Sequence, residues 1–159
     1  MAHQKNALSY RPNVAAIVID EIGHILACER SDFANAWQLP QGGIDSGERP
    51  IDAFYRELQE EIGTADVELL GQLPQPIRYQ WPKELHKRGY CGQEQWYFLA
   101  RINKTAIIDL NNHDLVEFAT YEWVTASNFL SRCKGFKADA YKKAILEFSR
   151  QFPDTIKMD

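Results

Sequence analysis

The chain has 159 residues, of which 45% are hydrophobic, 12% aromatic and 25% charged, with a formal net charge of −4. That is the length of one ordinary domain with enough apolar material for a single core. The acidic balance excludes a molecule-wide electrostatic grip on nucleic acid, so any contact with a polyanion must be local or carried by a cation.

Cys28, Cys91 and Cys133 are odd in number and widely spaced with no C-x-x-C pair, which argues against a disulfide framework or a zinc site and for a reducing compartment. The opening MAHQKNALSYRPN lacks the apolar run of a signal peptide, and no stretch approaches the roughly eighteen apolar residues of a membrane span. The expectation is a soluble, cytoplasmic protein with no membrane partner.

In chain order, residues 13–20 (NVAAIVID) form a β-branched apolar run suited to a strand covered on both faces, and residues 24–30 (HILACER) alternate as its hairpin partner. Trp37, Leu39 and Pro40 lead into Gly42 and Gly43, where a missing Cβ permits close approach by a ligand. Pro50 suits a first helical turn, Ile51, Phe54, Tyr55, Leu58 and Ile62 follow at helical spacing, and Gly63 makes a C′ stop. Strands are expected at 67–73, 76–81, 95–102 and 120–124. A second helical stripe runs from Phe136 through Ala140, Tyr141, Ala144, Ile145 and Phe148 to Phe152. A mixed sheet with the two helices on opposite faces would bury both stripes in three layers. No repeat, linker or low-complexity tract divides residues 1–159.

On the first helix Glu57, Glu60 and Glu61 stand at i, i+3 and i+4, on one face opposite the apolar stripe, with Cβ atoms about 5–6 Å apart. Such an exposed cluster repels itself unless cations neutralise it. Hard, oxygen-seeking Mg²⁺ or Mn²⁺ suits it, and a phosphate-bearing substrate would complete an octahedral shell. Alone, an E-x-x-E-E reads as a solvated helix face; the Gly-Gly turn ahead of it gives it chemical context.

Gly42, Glu48 and the run Arg56-Glu57-Leu58-Gln59-Glu60-Glu61-Ile62-Gly63 resemble the Nudix box, G-x5-E-x7-R-E-U-x-E-E-x-G-U, over residues 42–64. Only Thr64 departs, standing where the family prefers a bulky aliphatic residue packed below the site. The resemblance implies a Nudix-type α/β/α sandwich with a mixed central sheet, and metal-assisted hydrolysis of a nucleoside diphosphate linked to another moiety. By the same resemblance Glu57, Glu60 and Glu61 hold the metals with a backbone carbonyl near Gly42, and a buried Arg56 pairs with Glu48 to hold the loop against the helix. The base that deprotonates water is Glu57 as first choice and Glu117 as second. Relatives often carry Pro where Val116 stands, and Glu122 and Asp114 are the fallbacks for Glu117.

Beyond the box, YRPNVAAIVI, WQLPQGGID, GQEQWYFL and GFKADAY resemble the bacterial RNA pyrophosphohydrolases, also described as dinucleoside polyphosphate hydrolases, from about Tyr10 to Phe148. That resemblance maps Arg11, Arg30, Gln93, Phe136 and Lys137 to positions that contact an RNA 5′ end or shape its pocket. Read without it, Arg11 and Arg30 are surface charges, Phe136 caps the last helix, and Gln93 finishes a turn entering a strand beside Gly92. The implied reaction is Mg-dependent removal of pyrophosphate from the 5′-triphosphate end of RNA, leaving a 5′-monophosphate. Diadenosine tetra- or pentaphosphate hydrolysis would use the same site, and a non-catalytic nucleotide-sensing module would show a damaged acidic set, which is intact here. The loop KELHKRGY (83–90) reads either as solvated surface or as a local basic patch guiding the phosphodiester chain. His24, His86 and His113 are too scattered to suggest zinc.

Overall fold

A computed structural model describes residues 9–159; the part of the opening-segment expectation resting on residues 1–8 lies outside them. An eight-stranded mixed sheet runs β3-β2-β1-β7-β5, with β4 also pairing β1, β6 pairing β7 and β8 pairing β2. The strands are β1 (Ser9–Ile19), β2 (Ile25–Arg30), β3 (Trp37–Gln38), β4 (Gln41–Gly43), β5 (Val67–Gln72), β6 (Ile77–Gln80), β7 (Tyr90–Ile102) and β8 (Phe118–Val124). The helices are α1 (Pro50–Ile62), α2 (Ala126–Arg132) and α3 (Phe136–Gln151).

The apolar run in β1 is covered on both sides, and its alternation sorts the core into two halves. Ala15, Ile17 and Ile19 pack with Tyr141, Ile145 and Phe148 of α3 and Phe129 of α2. Val14, Ala16 and Val18 face the other way, onto Phe54, Leu58 and Ile62 of α1. The layers are therefore α/β/α, with β1 and β7 paired in parallel at the centre over Ser9 to Ile19. Cys28, Cys91 and Cys133 are free and buried. No helix among the described residues is long and apolar enough to cross a membrane.

Three details differ from the sequence expectation. The β1–β2 hairpin is closed only at its turn, Ile19 opposite Ile25. Further along, β4 takes the β1 edge at Asn13–Ala15, while β2 diverges to pair β8. The strand expected from residue 95 begins at Tyr90, so Gln93 lies within β7 rather than in a turn, and is 7% exposed. The short helix α2 was not expected; Thr125 caps it by accepting the Asn128 N–H at 3.1 Å, and its inward residues, Ala126 and Phe129, are too few for a visible stripe.

Candidate active site

α1 starts at Pro50 and ends at Gly63, whose φ of 77° gives the left-handed C-cap. Thr64, buried behind that cap, accepts the Asp66 N–H on its Oγ1 at 3.0 Å, so it serves the turn rather than the site. β4 lies across the acidic side of α1. A Cβ built on Gly42 would lie 2.1 Å from Glu57 Cδ, so this glycine is what lets the Glu57 carboxylate reach the strand. One residue earlier, the Gln41 N–H donates to Glu61 Oε1 at 2.8 Å.

This packing corrects two expectations. Glu61 is 4% exposed, not part of an exposed cluster: it points under β4 beside Leu58 and Ile62, and only Glu60 stands toward solvent. Arg56 is partly exposed rather than buried, with 29% of its side chain accessible, because its guanidinium spreads over the loop instead of beneath it. There it donates through Nε and Nη2 to the two oxygens of Glu48, each at 2.8 Å, and through Nη2 to the Gly43 carbonyl at 2.9 Å. Its Nη1 reaches Glu57 Oε1 at 2.9 Å. Arg56 thus ties loop, strand and acidic face together with one planar fork.

These surfaces enclose a cleft of about 480 Å³. One wall is acidic, made by Glu57, Glu60 and Glu61 with Glu117 at the rim. Val116 and Glu117 are pinned through their carbonyls, which accept the Ser31 hydroxyl and the Ser31 N–H respectively. Glu122 is instead paired with Arg132, and neither it nor Asp114 lines the cleft.

The same lining carries four cations: Arg11, Arg30, Lys87 and Lys137. Arg11 lies across Gly43, where a Cβ would come within 2.4 Å of its guanidinium. Arg30 is held bidentately by Asp32 at 2.9 and 2.7 Å. Lys137 donates to Gln38 Oε1 at 3.1 Å, and burial lowers its pKa, with the Arg30 charge adding to the effect. Phe136 stacks on Tyr79 with centroids 5.7 Å apart, and the Tyr79 hydroxyl donates to Gln93 Oε1. Nine of the twelve expected site residues line this cleft, Phe136 lines the two grooves beside it, and Arg56 holds Glu57 and the Gly43 carbonyl from outside the lining. Glu48 stands behind it, acting through Arg56. In the basic loop, Lys87 reaches the cleft while Lys83 and Arg88 do not line it.

Sequence reading named Gln93 but missed the buried polar layer to which it belongs. Asn13, Gln38, Gln93 and Gln95 are all buried. Gln95 Nε2 donates to Asn13 Oδ1 at 2.9 Å, Tyr97 donates to Gln95, and Tyr141 donates to Gln41. The available signal was polar amides recurring in otherwise apolar strands, Gln38 and Gln41 in WQLPQGG and Gln93 and Gln95 in GQEQWYF. His113 and Leu115 also line the cleft and were not expected there.

The acidic wall is electrostatically strained. Burial, opposed by Arg56 and reinforced by Glu60 and Glu117, raises the Glu57 pKa to about 7. Burial first, then Glu57 and Glu117, lifts Glu61 well above the usual carboxylate range. Among the described residues no three His, Cys, Asp or Glu side chains are gathered closely enough to hold a metal ion as they stand, and Glu57 turns to Arg56. The chemistry of the donor set nevertheless fits a hard divalent cation: Glu57 and Glu61 both bring carboxylate oxygens to β4, where Gly42 leaves room for them, and Glu60 stands on the same helix face.

A NUDIX domain model matches residues 9–145. Similar curated proteins include the RNA pyrophosphohydrolase of Helicobacter pylori (strain ATCC 700392 / 26695), 43% identical over 95% of this chain and 98% of that protein. The RNA pyrophosphohydrolase of Sulfurovum sp. (strain NBC37-1) is 42% identical over 92% and 98%. Among solved structures, the E. coli dihydroneopterin triphosphate pyrophosphohydrolase superposes with a TM-score of 0.69 at 17% identity, covering 87% of this chain and 99% of that one. A C. elegans Ap4A hydrolase complex gives a TM-score of 0.66 at 16% identity, covering 89% and 99%. With the NUDIX match over most of its length, the protein belongs to the NUDIX domain family.

Proposed function

We propose that this protein is a pyrophosphohydrolase that removes pyrophosphate from the 5′-triphosphate end of RNA and leaves a 5′-monophosphate. The observation that carries the reading is one cleft whose lining joins the carboxylates of α1 to the cations Arg11, Arg30, Lys87 and Lys137. Similarity to proteins named RNA pyrophosphohydrolase over nearly the whole chain supports it. A cytoplasmic location goes with this substrate and with three free, buried cysteines.

Glu57, Glu60 and Glu61, with the carbonyl at Gly42, would hold Mg²⁺ or Mn²⁺. Bound there, the cation supplies neutralisation of the polyphosphate and a water of lowered pKa. The chain's own groups do the rest. Arg11 and Lys137, in the same lining, orient the phosphates, and Arg30 sits in reach while Asp32 holds its plane. Glu57 is our first choice to take the water's proton: Oε1 is fixed by Arg56, which leaves Oε2 for the transfer. Glu117, at the rim, is the second. Phe136 and Gln93 offer an aromatic face and an amide to the terminal nucleotide.

A second reading has its own observation. The cleft opens into two side grooves, one lined by Trp81 and Leu85 and the other by Phe33 and Trp37, which would suit the two nucleosides of diadenosine tetraphosphate. Comparing turnover of triphosphorylated RNA and diadenosine tetraphosphate in Mg²⁺, at matched enzyme concentration, tests the choice. Higher kcat/KM on RNA is expected; the reverse order selects the dinucleotide.

A further inference from the structure

The strand that follows a reacting 5′ end must leave the cleft along one of its two side grooves. The groove beneath the 83–90 loop, about 460 Å³, has its own cation–aromatic pair, Lys87 over the Trp81 ring at 5.8 Å, but also carries the carboxylate residue Glu84 on its lining. The other, about 270 Å³, has no carboxylate among its described lining residues, in a chain whose net charge is −4. It joins the cleft through Arg30, Gln38 and Lys137, which line both.

Beyond those three residues the groove alternates aromatic faces with cations. Arg132 stacks over the Trp37 ring at 4.6 Å and is held there by Glu122 and by Asn128 Oδ1, the latter at 2.7 Å, so the pair forms a fixed flat plate. Phe33 stands 70% exposed at the outer end, and Lys134 is exposed on the opposite lip. A large apolar ring left in solvent beside cations is what a base-stacking platform along a phosphate track requires. Neither Phe33, Trp37, Arg132 nor Lys134 is needed to hold the reacting phosphates.

We infer that this groove binds the single-stranded RNA downstream of the reacting end, with a base stacked on Phe33 or on the Trp37–Arg132 plate and a phosphate on Lys134. The inference rests on the RNA reading proposed above. It assigns the downstream path to this side of Phe136 rather than to the basic loop at 83–90.

The test measures kcat/KM in Mg²⁺ for triphosphorylated RNAs of about two and about eight nucleotides. The parent protein should favour the longer. The double variant Phe33→Ala, Lys134→Ala should lose about tenfold on the longer substrate, the effect of one lost base–aromatic contact, and keep parental turnover on the shorter, which also serves as the control for folding. In a Glu61→Gln background, the single variant Lys134→Ala should flatten the log–log dependence of RNA affinity on salt by roughly 0.7, one phosphate contact on a single strand. Equal length preference in the double variant and the parent overturns the inference, as does transfer of the effect to Lys83→Ala, Arg88→Ala. Turnover indifferent to length removes the groove alone; no turnover on either RNA removes the RNA reading with it.

Discussion

Glu57 occupies the space that a side chain at residue 42 would fill: a Cβ on Gly42 would meet its carboxylate atoms at 2.1 to 2.3 Å. The clash is with the tip of a flexible side chain, not with backbone, so Gly42→Ala is relieved by moving the carboxylate. Stability should therefore change little, with a midpoint within a few degrees of the parent. Activity should fall by about 100-fold, the usual consequence of displacing a reacting group by an ångström. Thermal melts and initial rates on the same preparation check the split; equal losses in both would mean that the glycine serves the fold alone.

Arg56 should behave in the opposite way. Arg56→Ala removes both bonds to Glu48 and the bond to the Gly43 carbonyl, but all three sit in a partly solvated setting, so the expected destabilisation is about 1–3 kcal/mol, or roughly 2–12 °C in midpoint for a chain of this size. Activity falls with it, because the loop and Glu57 lose their tether. Denaturant titration of both proteins measures the difference.

The same pair sets an acid limit. The hydrogen bonds from Arg56 hold Glu48 at about 2, below its ordinary 4.5. A depressed carboxylate stabilises the fold above the unfolded pKa, and that contribution is lost as pH falls from about 4.5 through about 2. In Glu48→Gln this segment of the stability–pH curve should flatten, which acid titration followed by circular dichroism would show.

Glu57 and Glu61 have the opposite sign. Their folded-state pKa values are raised by burial, Glu57 to about 7 and Glu61 well above the usual carboxylate range. The stability they permit is complete below about 4.5 and is lost as pH rises through 7 and beyond. In chelator, the protein should melt higher at pH 5.5 than at pH 8. Glu61→Gln keeps an oxygen for the Gln41 N–H and removes a buried charge, so it should hold or raise the midpoint at pH 8, shrink the pH dependence and lower hydrolysis more than about 100-fold. A midpoint that drops at pH 8 would show that the Glu61 charge is compensated in the fold.

The layers and the two long helices were legible from the continuous apolar run of β1, the α1 stripe between Pro50 and Gly63, and the α3 stripe. α2 was not, since seven residues with two buried positions carry no stripe. The chemical identity of α1 was legible from spacing, whereas its burial was not. Helical periodicity puts Glu61 beside Glu57, but the cover over it comes from β4, which reaches α1 only through the β1 pairing at Val14–Gly42. Gln93 was misplaced for a related reason. Gly92 reads as a turn, yet it sits inside β7 because a Cβ there would strike the Tyr79 carbonyl at 2.0 Å. Cross-strand proximity of that kind has no local trace.

Incubation of the protein with RNA bearing a 5′-triphosphate, in Mg²⁺ and with the Glu61→Gln variant alongside, followed by analysis of both products, addresses the central claim most directly. The parent should yield 5′-monophosphate RNA and released pyrophosphate, and the substrate should stay intact with the variant and with the parent in chelator. Intact triphosphate RNA after incubation with a folded, Mg²⁺-supplied parent, or equal turnover by Glu61→Gln, would contradict that claim.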